Sequence, residues 1–129
     1  MKPRFVSLAW LLAAMLPSPA AAQSGSALRS TPEPVRAAIA PGKAEEVCMK
    51  LERGDTLYWR FSADVPLGFN LHQHLDGKVD MPVNLRAMRS DNGRFVATHG
   101  NDWCLMWTAP KNRAAALEGE WSKTVAAPK

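Results

Sequence analysis

The sequence lacks the short motifs that mark the common hydrolase, metalloprotease, thiol-redox and nucleotide-binding sites. It contains no Gly-x-Ser-x-Gly, no His-Glu-x-x-His, no Cys-x-x-Cys and no phosphate-binding loop. His74 with Asp76 or Asp80 could form an acid–base pair, but nothing nearby supplies a nucleophile or an oxyanion hole. We therefore expect a non-enzymatic protein that requires no cofactor for catalysis.

Apolar runs that could span a membrane are also missing after residue 22. The N-terminus has a basic start at Lys2 and Arg4, an apolar run from Phe5 to Leu16, and small residues at 20–22. The run is shorter than the roughly 20 apolar residues of a spanning helix, and the pattern is typical of a cleavable signal peptide over 1–22. The expected location is periplasmic or secreted.

The chain has only a small net charge once the signal peptide is set aside. The chain has 16 Lys and Arg against 12 Asp and Glu. Removing Lys2 and Arg4 leaves 14 basic residues against the same 12 acidic ones. So small an excess gives no reason to expect nucleic acid or an anionic membrane as the partner.

Cysteine is limited to Cys48 and Cys104. In an oxidising compartment such a pair is typically a disulfide, and closing a loop of about 57 residues would stabilise the fold by about 4 kcal/mol. Two buried free thiols or a cysteine-containing metal site are the alternatives. Both cysteines lie on the phase opposite the bulkiest residues of their strands, so either the two strands are neighbours or a bulge shifts the phase.

The remaining chain divides into a flexible lead-in over 23–44, a β domain over 45–123 and a disordered tail over 124–129. Within the lead-in, residues 35–40 could form a short strand or a helical turn. Apolar residues in the domain alternate with polar ones, which predicts a small antiparallel β-sandwich of six to eight short strands. Turns are expected at Asp76-Gly77 and at residues 90–93, and Pro82 suggests an edge strand or a bulge. The core is expected to contain Trp59, Trp103 and Trp107.

Several segments together resemble a known family. They are Leu51–Asp55, the Asp76-Gly77-Lys78 turn, residues 90–95 and the tryptophan-flanked strand 103–108. Over the last two-thirds of the chain this pattern resembles the GOLD domain, the β-sandwich of eukaryotic secretory cargo receptors. The resemblance implies an all-β, GOLD-like or jelly-roll-like fold, a Cys48–Cys104 bond and a protein-interaction role. The coiled coil and C-terminal membrane helix of those receptors are absent, so the cargo-receptor role does not carry over.

The sharpest chemical feature is the pair His72 and His74. Residues i and i+2 of a strand share a face and lie roughly 6.6 Å apart. Both imidazoles and the Asn70 side chain would therefore lie on one face of the strand, and Phe69 and Leu71 would lie on the other. Two imidazoles suit zinc or copper, and methionine suits Cu(I). A third ligand could be Met81, His99, Asp76 or Asp80. The alternative is a pair of surface or hydrogen-bonded histidines, and the order of residues does not fit a blue-copper site.

Protein interaction is the other class of function that the pattern supports. A sheet edge carrying Met88 between Arg86 and Arg89 could bind a partner by strand addition, although an ordinary solvated face would look the same. Our first hypothesis is therefore an exported binding or interaction module with an unknown protein or envelope partner. The second is a copper- or zinc-binding protein.

Overall fold

The computed structural model describes residues 28–125, and the predicted signal peptide lies outside them. Six antiparallel strands and no helix form within this range. The strands are β1 (Glu33–Ile39), β2 (Ala44–Leu51), β3 (Thr56–Leu75), β4 (Lys78–Val96), β5 (Asn101–Thr108) and β6 (Ala115–Thr124). The predicted all-β, sandwich-like fold is confirmed. No helix capable of crossing a membrane is found among these residues.

The sheet runs β1-β6-β3-β5-β2 and curls into a half-barrel, with β4 paired to β3 alongside this path. The first part of β3 pairs with β6, whereas its last part pairs with β5. β4 follows β3 along both parts, so one long hairpin is shared by the two halves of the fold. The prediction of uniformly short strands was wrong, because β3 has 20 residues and β4 has 19.

β3 changes neighbours between Ala63 and Gly68, beside the shift in its register with β4 between Ser62 and Leu67. Asp64 lies at this change of neighbours, and its Oδ1 accepts a hydrogen bond of 2.7 Å from the Ala116 amide on β6. Its carbonyl oxygen accepts one of 3.0 Å from Arg89 Nη1. Arg89, which could lie on an interaction edge or an ordinary solvated face by its sequence, therefore links β4 to this point of β3.

The predicted turn at Asp76-Gly77 is confirmed. Both residues have positive φ, 52° and 74°, as a two-residue type I′ hairpin turn requires. The turn predicted at residues 90–93 was wrong, because all four pair with β3 inside β4. A polar, glycine-containing stretch also suits an edge strand, and β4 has β3 as its sole described partner.

The flexible lead-in predicted over 23–44 was wrong for the part that the structure describes. Residues 33–39 form β1, which pairs with β6 over seven positions. Val35 and Ile39 from β1 are buried in the core. The domain thus begins before residue 45. Of the tail, Thr124 still belongs to β6, and residues 126–129 lie outside the described range.

The core fills the concave side of the sheet and is rich in aromatic residues. Trp59, Trp103 and Trp107 are buried, as predicted. Phe69 contacts the rings of Trp59 and Trp107, with centroids 5.6 and 5.5 Å apart. Because Phe69 lies in the second part of β3, these contacts join the two halves of the sheet.

The disulfide between Cys48 and Cys104 is present and joins directly opposite residues of β2 and β5. Their core-facing neighbours, Met49 and Trp103, are buried. The bond therefore forms on the outer face. The two cysteines lie on the face opposite the bulkiest residues because their strands are neighbours, and no bulge is needed to explain this.

A candidate metal centre beside the disulfide

Alternation along β3 places the two histidines on its outer face. Phe69 and Leu71 are buried in the core, at 1% and 0% exposure. Asn70, His72 and His74 therefore share the opposite face. The His72 and His74 rings meet edge to face, with centroids 5.3 Å apart. His72 is 4% exposed, whereas His74 is exposed to solvent.

Both ring nitrogens of His72 have polar partners. Nδ1 lies 2.7 Å from Asn70 Oδ1, and Nε2 lies 3.0 Å from Glu46 Oε1. An amide oxygen only accepts hydrogen bonds, so Nδ1 is protonated and donates a hydrogen bond to Asn70 Oδ1. This contact fixes the ring orientation and directs Nε2 towards the carboxylate.

Glu46 comes from a different strand and was not identified from the sequence. Along β5, Met106 pairs with Glu46 on one side and with Asn70 on the other, while Cys104 pairs with His72. The carboxylate thus reaches His72 diagonally across β5. Finding this contact requires the strand order β3-β5-β2, which no local pattern in the sequence encodes.

Oxygen, nitrogen and sulfur ligand atoms from Glu46, His72 and Cys104 lie within 4.8 Å of one another. Cys104 is in the disulfide, so its sulfur is no thiolate ligand. The usable donors of this cluster are the carboxylate and the imidazole, with the exposed His74 ring beside them.

Met81 lies on β4 across from His72. Leu71 pairs with Val83 and Gln73 pairs with Asp80, so residues 81 and 82 both lie opposite His72 in a bulge. Pro82 therefore has both features that the sequence suggested, an edge strand and a bulge. The Met81 side chain is 43% exposed. The register thus places Met81 at a strand position opposite His72.

His99 belongs to a separate hydrogen-bond network around Gln73, which is itself buried at 1% exposure. Gln73 Nε2 donates to Asp80 Oδ2 at 3.1 Å. Its Oε1 therefore accepts hydrogen bonds from His99 Nε2 at 2.8 Å and from Asn101 Nδ2 at 2.7 Å. Gln73 ties the end of the β3–β4 hairpin to the segment before β5. His99 and Asp80 both hydrogen-bond to Gln73, His99 also contacts Thr98 and the Trp103 ring, and Asp76 lies in the turn.

The Glu46–His72 geometry is suited to holding a transition metal. Two ligands about 2.0–2.1 Å from a tetrahedral ion lie about 3.3 Å apart. The 3.0 Å between Oε1 and Nε2 is the length of a direct hydrogen bond or ion pair, and it is also compatible with that spacing. Metal-binding histidines usually donate their second N–H to a neighbouring acceptor, as Nδ1 does to Asn70.

Comparison with known proteins bears on the fold. No protein-family model matches the sequence, and no curated protein matches it. Among solved structures, the chain is similar to the Yersinia pseudotuberculosis-derived mitogen, with a TM-score of 0.50 and 15% identity. The match covers 77% of this chain and 89% of that one. At this identity the likeness concerns the β-rich fold alone.

Proposed function

We propose that this chain is an exported, non-enzymatic binding module and that its outer-face site binds copper or zinc. The observation that carries the proposal is the buried His72 imidazole, held by Asn70 through one ring nitrogen and facing Glu46 through the other. The disulfide supports an oxidising compartment, which we take to be the periplasm or the extracellular space. The β-rich sandwich supports a GOLD-like relationship as part of the same proposal.

The site has the elements of a preorganised centre. Burial and the Asn70 hydrogen bond limit the motion of the His72 ring, so little ordering is left for metal binding to achieve. Glu46 lies on β2, which the disulfide ties to β5. His74 is exposed, so it can reorient towards an ion that enters from solvent.

The donor set determines which ions to test. Glu46 with the two imidazoles offers oxygen and nitrogen donors, which suit Zn²⁺ and Cu²⁺. Met81 with the same imidazoles offers a soft sulfur donor, which suits Cu(I). Replacing Met81 by leucine, a residue of similar volume, removes the sulfur donor and leaves the oxygen and nitrogen donors in place.

The test is calorimetric titration of the oxidised protein with Zn²⁺, Cu²⁺ and Cu(I). We expect micromolar or tighter binding, weakened at least tenfold by His72→Ala for all three ions and by Glu46→Gln for Zn²⁺ and Cu²⁺. Glu45→Gln is the matched control, because Glu45 is the neighbouring residue on β2 and so lies on the other phase. Met81→Leu should weaken Cu(I) alone. Equal affinity in the wild type and His72→Ala would rule out the site.

A protein partner is the second candidate function, favoured by the tip of the β3–β4 hairpin. Leu75, Val79 and Met81 are 44%, 50% and 43% exposed there. They lie where β4 has β3 as its only described neighbour, so strand addition with apolar side-chain contacts is possible.

Affinity capture from an envelope extract, comparing wild type with Val79→Glu, tests the second candidate. We expect a partner retained by the wild type to be lost by the variant, because a charge at this position opposes apolar docking. Val125→Glu is the control, since Val125 is exposed outside the strands. A partner that both variants retain would contradict docking at the hairpin tip. Metal titration does not depend on this outcome.

A further inference from the structure

A groove of about 370 Å³ lies on the outer face of the β6–β3–β4 half of the sheet. It is built from different strand segments than the candidate metal centre, which lies in the β2–β5–β3 half. In the row of paired residues across it, Tyr58 lies between Ser122 on β6 and Arg94 on β4. In the next row, Arg60 lies between Glu120 and Asn92. Arg29 also lines the groove, as do Trp59 and Trp121.

Arg29 is held in a defined position over this groove. Its Nε donates a 2.8 Å hydrogen bond to Ser122 Oγ, and Ser122 is 1% exposed. Its guanidinium carbon lies 4.1 Å from the centre of the Tyr58 ring. The backbone adds a bridge between Arg29 and Thr124. With Nε engaged and the plane stacked, the two terminal nitrogens remain as donors for a ligand.

The charges in the groove do not cancel. Arg60 pairs with Glu120 at 2.8 Å, and Glu120 is the one acidic side chain that lines the groove. Within residues 28–125 neither Arg29 nor Arg94 forms an ion pair with a carboxylate. Arg29, over the Tyr58 ring, and Arg94, at the β4 position paired with Tyr58, thus carry positive charge without an internal counterion.

We propose that this groove binds a doubly charged oxyanion, a phosphate group. Two guanidinium groups match its charge, and their paired N–H donors suit its oxygens. The Tyr58 hydroxyl is a further donor within the lining. Prior fixation of Arg29 by Ser122 and Tyr58 lowers the ordering cost of binding. The phosphate could belong to a small soluble molecule or to a lipid headgroup.

Inorganic phosphate, titrated into the metal-free protein at constant ionic strength, is the primary probe. Amide chemical shifts should change saturably at β3, β4 and β6 positions in the groove. Arg94→Gln should weaken binding at least tenfold. It is the decisive variant, because Arg94 is exposed on an edge strand and its loss leaves the fold intact. Arg29→Gln should weaken binding similarly.

Arg113→Gln is the matched control, because it removes the same charge from the exposed loop before β6. Its affinity should stay within twofold of wild type. Non-saturating shifts, or equal affinities for Arg94→Gln and Arg113→Gln, would overturn the proposal and indicate general charge screening. Vesicles with and without phosphatidic acid distinguish the source. If inorganic phosphate causes saturable shifts and the protein also binds vesicles only when they contain phosphatidic acid, the ligand is a lipid headgroup. If inorganic phosphate causes saturable shifts and the protein binds neither kind of vesicle, the ligand is a small soluble molecule.

Discussion

Gly93 is the residue at which β4 makes room for the indole of Trp59. The two residues are directly paired, and the Trp59 ring lies over the glycine. Two positions earlier, Asp91 Oδ2 accepts a 2.9 Å hydrogen bond from Trp59 Nε1. The polar stretch that resembled a turn thus provides both the space and the acceptor that a buried tryptophan needs.

Gly93→Ala should lower the free energy of unfolding by about 1–3 kcal/mol, as overpacking typically does. A Cβ at this position would lie 2.3 Å from Trp59 Cζ2 and 2.7 Å from Cε2. Urea denaturation followed by tryptophan fluorescence measures the loss. Gly68→Ala is the control, because its Cβ would meet its nearest neighbour at 3.8 Å. If both variants were equally stable, the steric explanation would be wrong.

For single residues, the sequence predicted the face of the strand correctly more often than it predicted the contacts of the side chain. Strand alternation placed Asn70 and His72 together, because Phe69 and Leu71 had to be in the core. Glu46 was missed, since its approach to His72 depends on a third strand between them. Gln73 was missed because its network with His99 depends on how the hairpin end meets the segment before β5.

Among the elements, β2 depends most on one covalent link. It lies at the end of the sheet path and is hydrogen-bonded to β5 alone among the described strands. The Cys48–Cys104 bond lies in the middle of this pairing. It therefore secures an edge strand that also carries Glu46.

Replacing both cysteines by serine should cost about 4 kcal/mol of stability, since the bridge closes a loop with a sequence separation of 56. β2 should also open locally, because it has one neighbour. Chemical denaturation gives the first quantity, and amide hydrogen exchange at Val47, Met49 and Leu51 gives the second. A loss below about 1 kcal/mol with unchanged exchange would show that β2 is held by packing instead.

Turn chemistry explains which element boundaries the sequence predicted. Asp76-Gly77 was predictable because both positions need positive φ, which aspartate and glycine tolerate. The length of β4 was not, because residues 90–93 combine turn-like composition with pairing to β3. Whether such a stretch turns or continues is decided by its cross-strand partners.

For the molecule as a whole, β1 is required to complete the sheet. Residues 33–39 were predicted to be part of a lead-in, because the prolines and small residues around them gave little strand signal. Their role becomes evident only from β6, whose free edge they cover. Leu117 on β6 pairs with Ala37, and both sides of this pairing contribute to the core.

A fragment of residues 41–129 should therefore be less stable than residues 23–129 by about 3–6 kcal/mol. Val35 and Ile39 would be lost from the core, and burial of each such side chain contributes about 1.5–3 kcal/mol. Thermal unfolding followed by circular dichroism compares the two. Equal melting temperatures would contradict a structural role for β1, whereas a fragment that fails to fold would agree with it.

We expect the long hairpin to form before β1 pairs with β6. Hairpins form in about 1–10 μs, and β3 with β4 is the one pairing in the described fold that a two-residue turn connects. β1 must instead find β6, with Glu33 opposite Trp121. Ribosomes add about 5–20 residues per second, so β1 emerges several seconds before its partner exists. β1 is thus an unpaired, partly apolar strand in the nascent chain until β6 has been synthesised.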